Sequence, residues 1–148
     1  ERILQAKNCD AEYGGGEYNV AVSLSQFGVP TKFVTALPDT AVGDSAMFRI
    51  KGFGIDSSSI VRQGDRMGLY FLEHGAAMRA SKVVYDRARS SISEIKLGDI
   101  DWEKAFNGID WFHFTGITPA LSSSADDVTS EAASAAKDLG LTVSADMN

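Results

Sequence analysis

The stretch GGGEYNVAVSLSQFG, residues 14–28, decides how this sequence folds. Three consecutive glycines precede Val20, Leu24 and Phe27, which recur at the i, i+4, i+7 spacing of one helix face. Gly28 supplies the stop signal at the end of this pattern. Glycine lets the backbone approach a ligand closely, and the first helical turn offers N–H groups without a partner. The stretch therefore predicts a helix entered from a glycine loop that is itself a candidate binding site.

Two nucleotide-binding motifs are excluded at this loop. A P-loop requires a lysine and a hydroxyl residue after its last glycine, where Glu17 and Tyr18 stand. A dinucleotide fingerprint requires a third glycine at the position of Asn19 and a hydrophobic strand in place of residues 10–13. The Asn19 amide can both donate to and accept from adjacent hydroxyls of a polyol, although an ordinary capping role and a plain tight turn stay open.

The rest of the chain alternates strand and helix patterns. Strands are predicted at 32–37, 68–73, 82–87, 110–115 and 141–146, and further helices at 45–53, 101–106 and 124–139. The strand at 110–115 has the apolar run of a fully covered parallel strand. For the last helix we expect Ser124 as the cap and a buried stripe of Val128, Ala132, Ala135 and Leu139. The order predicts one α/β domain with right-handed crossovers, and the strands between 68 and 87, with no helix between them, form a small β appendage.

Composition limits the classes of function. The chain has 148 residues and a net charge of −6, which argues against a nucleic-acid partner. It contains no apolar run long enough to cross a membrane. The single cysteine, Cys9, cannot form an internal disulfide, and we expect a cytoplasmic location. A basic cluster over residues 79–89 is either a solvated strand face or part of an anion site.

Several motifs together resemble one family. The spacing Gly-Gly-x-x-x-Asn-x-Ala over 14–21 is similar to the sugar-binding motif of ribokinase-like (PfkB) carbohydrate kinases, and ALPD at 36–39, VGD at 42–44 and GID at 54–56 resemble later motifs of that family. GLYF at 68–71 and VVYDR at 83–87 are most similar to 2-keto-3-deoxygluconate kinases. The resemblance implies a ribokinase-like α/β fold, a mostly parallel sheet with flanking helices and a small β lid. It places lid strands near 1–13 and 68–87, and it makes residues 1–148 the N-terminal part of one domain whose C-terminal ATP-binding half is absent.

The resemblance also implies the site residues. The substrate contacts it assigns are Gly15, Gly16, Asn19, Tyr70, Tyr85 and Arg87. Arg87 would serve the carboxylate or keto end, because a guanidinium meets a carboxylate with two parallel hydrogen bonds. Taken singly, the tyrosines could instead be ordinary strand aromatics and Arg87 a surface charge. Asn148, in a terminal stretch resembling Asp-x-Asn-Tyr-Arg, is expected near the phosphates of the cofactor ATP.

The function implied is ATP-dependent phosphorylation of a primary hydroxyl of 2-keto-3-deoxygluconate or a similar sugar acid, with Mg²⁺ bridging the phosphates. No catalytic or metal-binding residue is assigned, because the general base is expected C-terminal to this chain, which alone would be inactive. Two alternatives stay open: a fructokinase or ribokinase acting on a neutral sugar, and a non-catalytic sugar-binding module. By analogy with the family, the lid is expected to form a homodimer or higher homo-oligomer.

Overall fold

The computed structural model describes residues 2–147. In chain order its helices and strands are α1 (Gly16–Gln26), β1 (Ala36–Leu37), α2 (Ala41–Gly52), β2 (Val61–Arg62), β3 (Leu69–Glu73), β4 (Lys82–Asp86), α3 (Trp102–Phe106), β5 (Trp111–Thr115), α4 (Ser123–Asp138) and β6 (Thr142–Asp146). Short 3-10 turns lie at Ile3–Gln5, Ser91–Glu94 and Pro119–Leu121. Every helix predicted from the sequence forms, although several bounds differ.

Strand pairing gives two parallel units and one antiparallel hairpin. β1 pairs with β2 in parallel, and helix α2 lies between them in the chain. β5 pairs with β6 in parallel, and helix α4 lies between them in the chain. β3 and β4 pair in antiparallel register and form the predicted β appendage. This confirms the α/β class. Within residues 2–147 the expected sheet takes the form of separate two-stranded units.

The strand predicted at 32–37 is regular only at its end. Upstream of β1 the chain pairs with the segment before β2 through one bridge, between Lys32 and Asp56. There the Phe33 N–H donates to the Asp56 carbonyl at 2.9 Å. The predicted extended conformation is therefore present, but tertiary contacts restrict the regular ladder to Ala36–Leu37.

Two helix starts differ from the sequence prediction. α2 begins before residue 45, because Thr40 caps it by accepting from the Gly43 N–H. A Cβ at Gly43 would lie only 2.0 Å from the Pro38 carbonyl oxygen, so this first turn requires glycine. For α4 the prediction of Ser124 as the cap is wrong, since the Ser122 hydroxyl accepts from the Ala125 N–H at 3.0 Å.

The buried stripe of α4 also differs in its last turns. The buried residues are Ala125, Val128, Ala132 and Ala136. Ala135 is only partly buried, and Leu139 is 51% exposed because it follows the last helical residue as the C-cap. Both series fit the helical period, so the period alone could not fix which side faced the core.

Two apolar clusters support the fold. One lies around Ile95 and joins α4 to β1 and α3; its buried members are Ala36, Ile95, Ile100, Ala105, Ala125 and Val128. The other joins α1 to α2 and β1; its buried members are Ala21, Leu37, Ala46, Ile50 and Ile55. The second cluster packs the end of β1 against α1.

Two further expectations about strands are corrected. β5 is not fully covered among the described residues, because Trp111 at its start is 60% exposed while Thr115 at its end is 1% exposed. No strand forms within residues 2–13, where the chain makes only the 3-10 turn Ile3–Gln5. There the Ile3 N–H donates to the Glu73 side chain at 3.3 Å, which is not part of a backbone ladder. Strands therefore form only the 68–87 part of the expected lid.

No helix within residues 2–147 combines the length and apolar character needed to cross a bilayer.

Candidate functional site

The hairpin of β3 and β4 presents two tyrosines side by side. Residues directly opposite in an antiparallel pair share a face, and Tyr70 lies opposite Tyr85. Their ring centroids are 6.4 Å apart with the planes tilted by 52°. Two residues further along the chain, the Arg87 guanidinium carbon lies 4.1 Å from the Tyr85 ring centroid. A cation stacked in this way keeps the edge of its guanidinium for hydrogen bonds in the plane.

The glycine loop lies between this hairpin and the end of β5. A Cβ on Gly14 would stand 2.8 Å from the Tyr70 hydroxyl oxygen, so the loop backbone and the lid are in close contact. A Cβ on Gly16 would stand 3.1 Å from Thr115 Cγ2. Gly15, the N-cap of α1, has φ of 149° and ψ of 145°, a conformation that favours glycine. The loop is thus confined on both sides, and α1 opens directly behind it.

A cavity of about 260 Å³ lies where the hairpin meets the end of β5. It is lined by Tyr85, Arg87, Gly116, Ile117 and Ala120. Since Gly16 also approaches Ile117 through its backbone, the glycine loop borders the same region. Tyr70, Tyr85, Arg87 and Gly16, which are far apart in sequence, are therefore brought to one place.

Glu17 fixes this arrangement and was not singled out from the sequence. One carboxylate oxygen, Oε1, accepts from the Thr115 N–H at 3.1 Å and the Thr115 hydroxyl at 2.8 Å. The same oxygen accepts from the Thr118 hydroxyl at 2.8 Å. The first turn of α1 is thereby tied to the carboxyl end of β5. The only sequence signal was an acidic residue in a first helical turn, which is common for helix-dipole reasons alone.

The end of β6 approaches the cavity from the other side. The Gly116 N–H donates to the Asp146 carbonyl at 2.7 Å, and a Cβ on Gly116 would stand 3.1 Å from the Met147 carbonyl oxygen. The backbone of β6 therefore runs close to the cavity-lining turn. Asn148, expected near the ATP phosphates, lies outside the described residues.

Asn19 lies in a different hollow. It borders a concavity of about 310 Å³ together with Tyr13, Tyr18, Arg49 and Phe53 among others. Burial raises the pKa of Tyr18 above its usual value, and the charge of Arg49 works in the opposite direction. The structure thus separates Asn19 from the cavity that Tyr85 and Arg87 line.

Within residues 2–147 no group of three or more His, Cys, Asp or Glu side chains is arranged to hold a metal ion. No Mg²⁺ ligand is therefore assigned among them.

Comparison with known proteins gives a family match over the chain. The family described as pfkB family carbohydrate kinase matches residues 1–148. A 2-dehydro-3-deoxygalactonokinase of Haloferax volcanii is 31% identical over 150 residues, covering 100% of this chain and 46% of that protein. The chain thus spans less than half the length of this relative.

Two solved structures are similar throughout the chain. The crystal structure of a 2-dehydro-3-deoxygluconokinase from Thermotoga maritima superposes with a TM-score of 0.97 at 49% identity, covering 100% of this chain and 45% of that one. A PfkB family carbohydrate kinase from Listeria grayi superposes with a TM-score of 0.94 at 38% identity, covering 99% of this chain and 46% of that one. The fold of residues 2–147 is therefore that of these kinases.

Proposed function

The chain belongs to the pfkB family of carbohydrate kinases, and on that premise we propose that the whole protein phosphorylates a sugar acid on a primary hydroxyl. The proposed substrate is 2-keto-3-deoxygluconate, also called 2-dehydro-3-deoxygluconate, or a close analogue. The observation that carries the proposal is the stacked Arg87 guanidinium at the cavity between the hairpin and the end of β5. A cation held in place at a small polar cavity suits a carboxylate.

In the proposed site, two surfaces contact the substrate from opposite sides. The Arg87 edge binds the carboxylate, while the Tyr70 and Tyr85 hydroxyls orient the polyol. Backbone groups of Gly15 and Gly16 close the opposite side, because a loop without Cβ atoms lets the sugar approach the start of α1. In this proposal the chain binds and orients the acid and excludes water from it. Asn19 stays a predicted contact, although its hollow is separate.

The proposed reaction uses ATP as the phosphoryl donor. The substrate hydroxyl oxygen forms a bond to the γ-phosphorus, the bond from that phosphorus to the bridging oxygen breaks, and ADP leaves as the hydroxyl proton passes to a base. Mg²⁺ would supply charge neutralisation at the phosphates when bound. The described residues contribute positioning, and the base and the Mg²⁺ ligands are not assigned to them.

Substrate competition with the full-length protein tests this proposal. We expect kcat/KM for 2-keto-3-deoxygluconate to exceed that for fructose and ribose by about 30- to 150-fold, since loss of a charge-assisted pair costs about 2–3 kcal/mol. Arg87→Met should lower kcat/KM for the acid by a similar factor and leave neutral-sugar turnover nearly unchanged. Arg79→Met removes the same charge from the far end of the hairpin, where Arg79 pairs with Glu73 at 3.6 Å, and serves as the control.

Each rival predicts a different result from the same assays. A fructokinase or ribokinase would turn over the neutral sugar and be insensitive to Arg87→Met. A non-catalytic sugar-binding module would bind the acid in calorimetry and show no ADP production. Either result, obtained with active control enzyme in parallel, contradicts the proposed function.

We also propose that the hairpin pairs with a second copy of the protein. Its outer face carries Phe71 and Val84, which are 40% and 42% exposed and lie opposite one another. Side chains of this kind rarely stay in water on both faces of a two-stranded sheet. Sedimentation should show an oligomer that Phe71→Asp dissociates; an unchanged mass contradicts the proposal. A cytoplasmic location stays a prediction that cell fractionation would test.

A further inference from the structure

The hairpin of β3 and β4 is largely exposed along its strands. Every residue of β4 is exposed, and so is every residue of β3 except Glu73. Strands with so little burial cannot set their own orientation, because few packing contacts oppose a rotation. The residues that hold the base of the hairpin therefore determine the direction in which Tyr85 and Arg87 point.

Arg66 lies at this base and bonds across it. Its two terminal nitrogens donate to the Asp86 carboxylate at 2.9 and 2.7 Å, which is a bidentate pair. They also donate to the Asp86 carbonyl at 3.0 Å and the Ala88 carbonyl at 3.3 Å. The Arg66 carbonyl in turn accepts from the Ser91 N–H at 2.9 Å and the Ser91 hydroxyl at 3.0 Å. One residue in the segment that enters the hairpin thus bonds to three positions at and beyond the end of β4.

The position of Asp86 gives this pair its significance. Successive side chains of a strand point to opposite faces, so Tyr85 and Arg87 share one face and Asp86 lies on the other. Tyr85 and Arg87 both line the cavity. Arg66 therefore binds Asp86, the residue between the two cavity-lining side chains, on the face of the hairpin that points away from the cavity.

Close packing around the Arg66–Asp86 pair also restricts movement of the hairpin at its base. A Cβ on Gly68 would stand 3.5 Å from Arg87 Cγ and 3.6 Å from Ser90 Cβ, so the two strands are in close contact at the base. Arg89, just beyond, has a positive φ of 53°, which is unfavourable for a residue with a side chain. The chain therefore leaves the hairpin through a constrained turn. Arg66 forms hydrogen bonds on both sides of this turn, to Asp86, Ala88 and Ser91.

We propose that Arg66 and Asp86 are positioning residues that hold the lid so that Tyr85 and Arg87 meet the sugar acid. This inference rests on the proposed function, because it concerns the same cavity. The Arg66 hydrogen bonds hold the pKa of Asp86 below its usual range, so the pair is ionised at neutral pH. Neither residue lines the cavity, and both act through the strand between Tyr85 and Arg87.

The test measures steady-state kinetics of the full-length protein with 2-keto-3-deoxygluconate and ATP. Arg66→Met and Asp86→Asn should each raise KM for the acid about tenfold, with kcat within about threefold and KM for ATP unchanged, since a loosened lid weakens acid binding before it alters the transfer step. The double variant should be no worse than Arg66→Met, because Arg66→Met already removes the ion pair that Asp86→Asn breaks. Arg66→Lys should lie in between, since an ammonium cannot form the bidentate pair.

Glu73→Gln is the matched control, because Glu73 belongs to an ion pair at the opposite end of the same hairpin. Its KM for the acid should stay within twofold of wild type. The inference is overturned if Arg66→Met leaves KM for the acid unchanged, if the two single effects add, or if Glu73→Gln has the same effect.

Limited trypsin digestion separates this inference from the proposed function. Loss of the Arg66–Asp86 pair should speed cleavage at basic residues 79–89 at least fivefold in Arg66→Met but not in Glu73→Gln. If wild type shows no turnover of the acid, the proposed function fails, while faster cleavage still supports the role of the pair in holding the lid. Equal cleavage in wild type and Arg66→Met would contradict that role, whatever the enzyme acts on.

Discussion

Replacing Gly14 by alanine should weaken sugar-acid turnover through the lid. The φ of Gly14 is not in the left-handed region, so alanine is compatible with the backbone. The added Cβ would lie 2.8 Å from the Tyr70 hydroxyl oxygen, about 0.6 Å short of ordinary contact at 3.4 Å. That oxygen is fixed to a rigid ring, so the Tyr70 ring has to move away from the loop. A misplacement of 1 Å costs about a hundredfold in rate, which makes about tenfold in kcat/KM, or about 1.4 kcal/mol, the expected loss.

A double-mutant cycle isolates this contact. Removing the hydroxyl with Tyr70→Phe leaves the ring carbon Cζ at 3.8 Å from the new Cβ, an ordinary contact. Gly14→Ala should therefore have little further effect in the Tyr70→Phe background. Kinetics of the full-length protein with 2-keto-3-deoxygluconate would be measured for wild type, both single variants and the double variant.

Gly52→Ala provides the control, because a Cβ there meets nothing within 4 Å. It should leave kcat/KM unchanged and raise the free energy of unfolding by up to about 1 kcal/mol, since Gly52 ends helix α2. The reasoning is refuted if Gly14→Ala lowers kcat/KM equally with and without the Tyr70 hydroxyl. It is also refuted if Gly14→Ala behaves like Gly52→Ala, because the lid would then tolerate the added methyl group.

Three further predictions concern stability and are tested by urea denaturation. Ile95→Ala should lower the free energy of unfolding by about 2–4 kcal/mol because Ile95 is 1% exposed, while Leu97→Ala, at 59% exposure, should stay within about 0.5 kcal/mol. Glu17→Ala should cost about 2 kcal/mol because three donors lose one acceptor, and Glu17→Gln, which keeps an acceptor oxygen, should cost clearly less; equal costs would contradict the role given to the carboxylate. The Ser58 N–H holds the pKa of Asp56 below its usual value, so its stabilisation is present above the ordinary value of about 4 and is lost as the pH falls through the lower folded value. Asp56→Asn should flatten the stability curve below about pH 4, and an unchanged slope would contradict this assignment.

The elements that the sequence predicted well are those whose chemistry is local. Helix α1 lies between a glycine loop and Gly28, whose φ of 79° ends it as expected. The hairpin of β3 and β4 needed only two short β-rich runs without a helix between them. Family motifs then added the cavity residues, of which Tyr85 and Arg87 do lie together.

The elements predicted less well depend on contacts far apart in the sequence. Three adjacent serines, residues 122–124, could each cap α4, and the choice of Ser122 is linked to Ser124, whose hydroxyl donates to the distant Ile95 carbonyl. The apolar run of β5 indicated burial, but periodicity cannot say which neighbours cover Trp111. Arg66 and Asp86 are 20 positions apart, and their pairing follows from the register of a hairpin that no local pattern fixes.

The first turn of α1 explains why one predicted contact is separated from the others. Each residue of a helix is rotated by about 100° from the one before, so Asn19 points about 200° away from Glu17. Because the Glu17 carboxylate is bound to Thr115 at the end of β5, the opposite side of the helix must carry Asn19, and it borders the hollow next to Arg49. The glycines of the loop do not depend on this rotation of side chains, because they contribute to the cavity only through their backbone. The loop can therefore lie close to the cavity because its glycines have no side chains. Glu17, which the sequence motif leaves unspecified, fixes the rotation of helix α1.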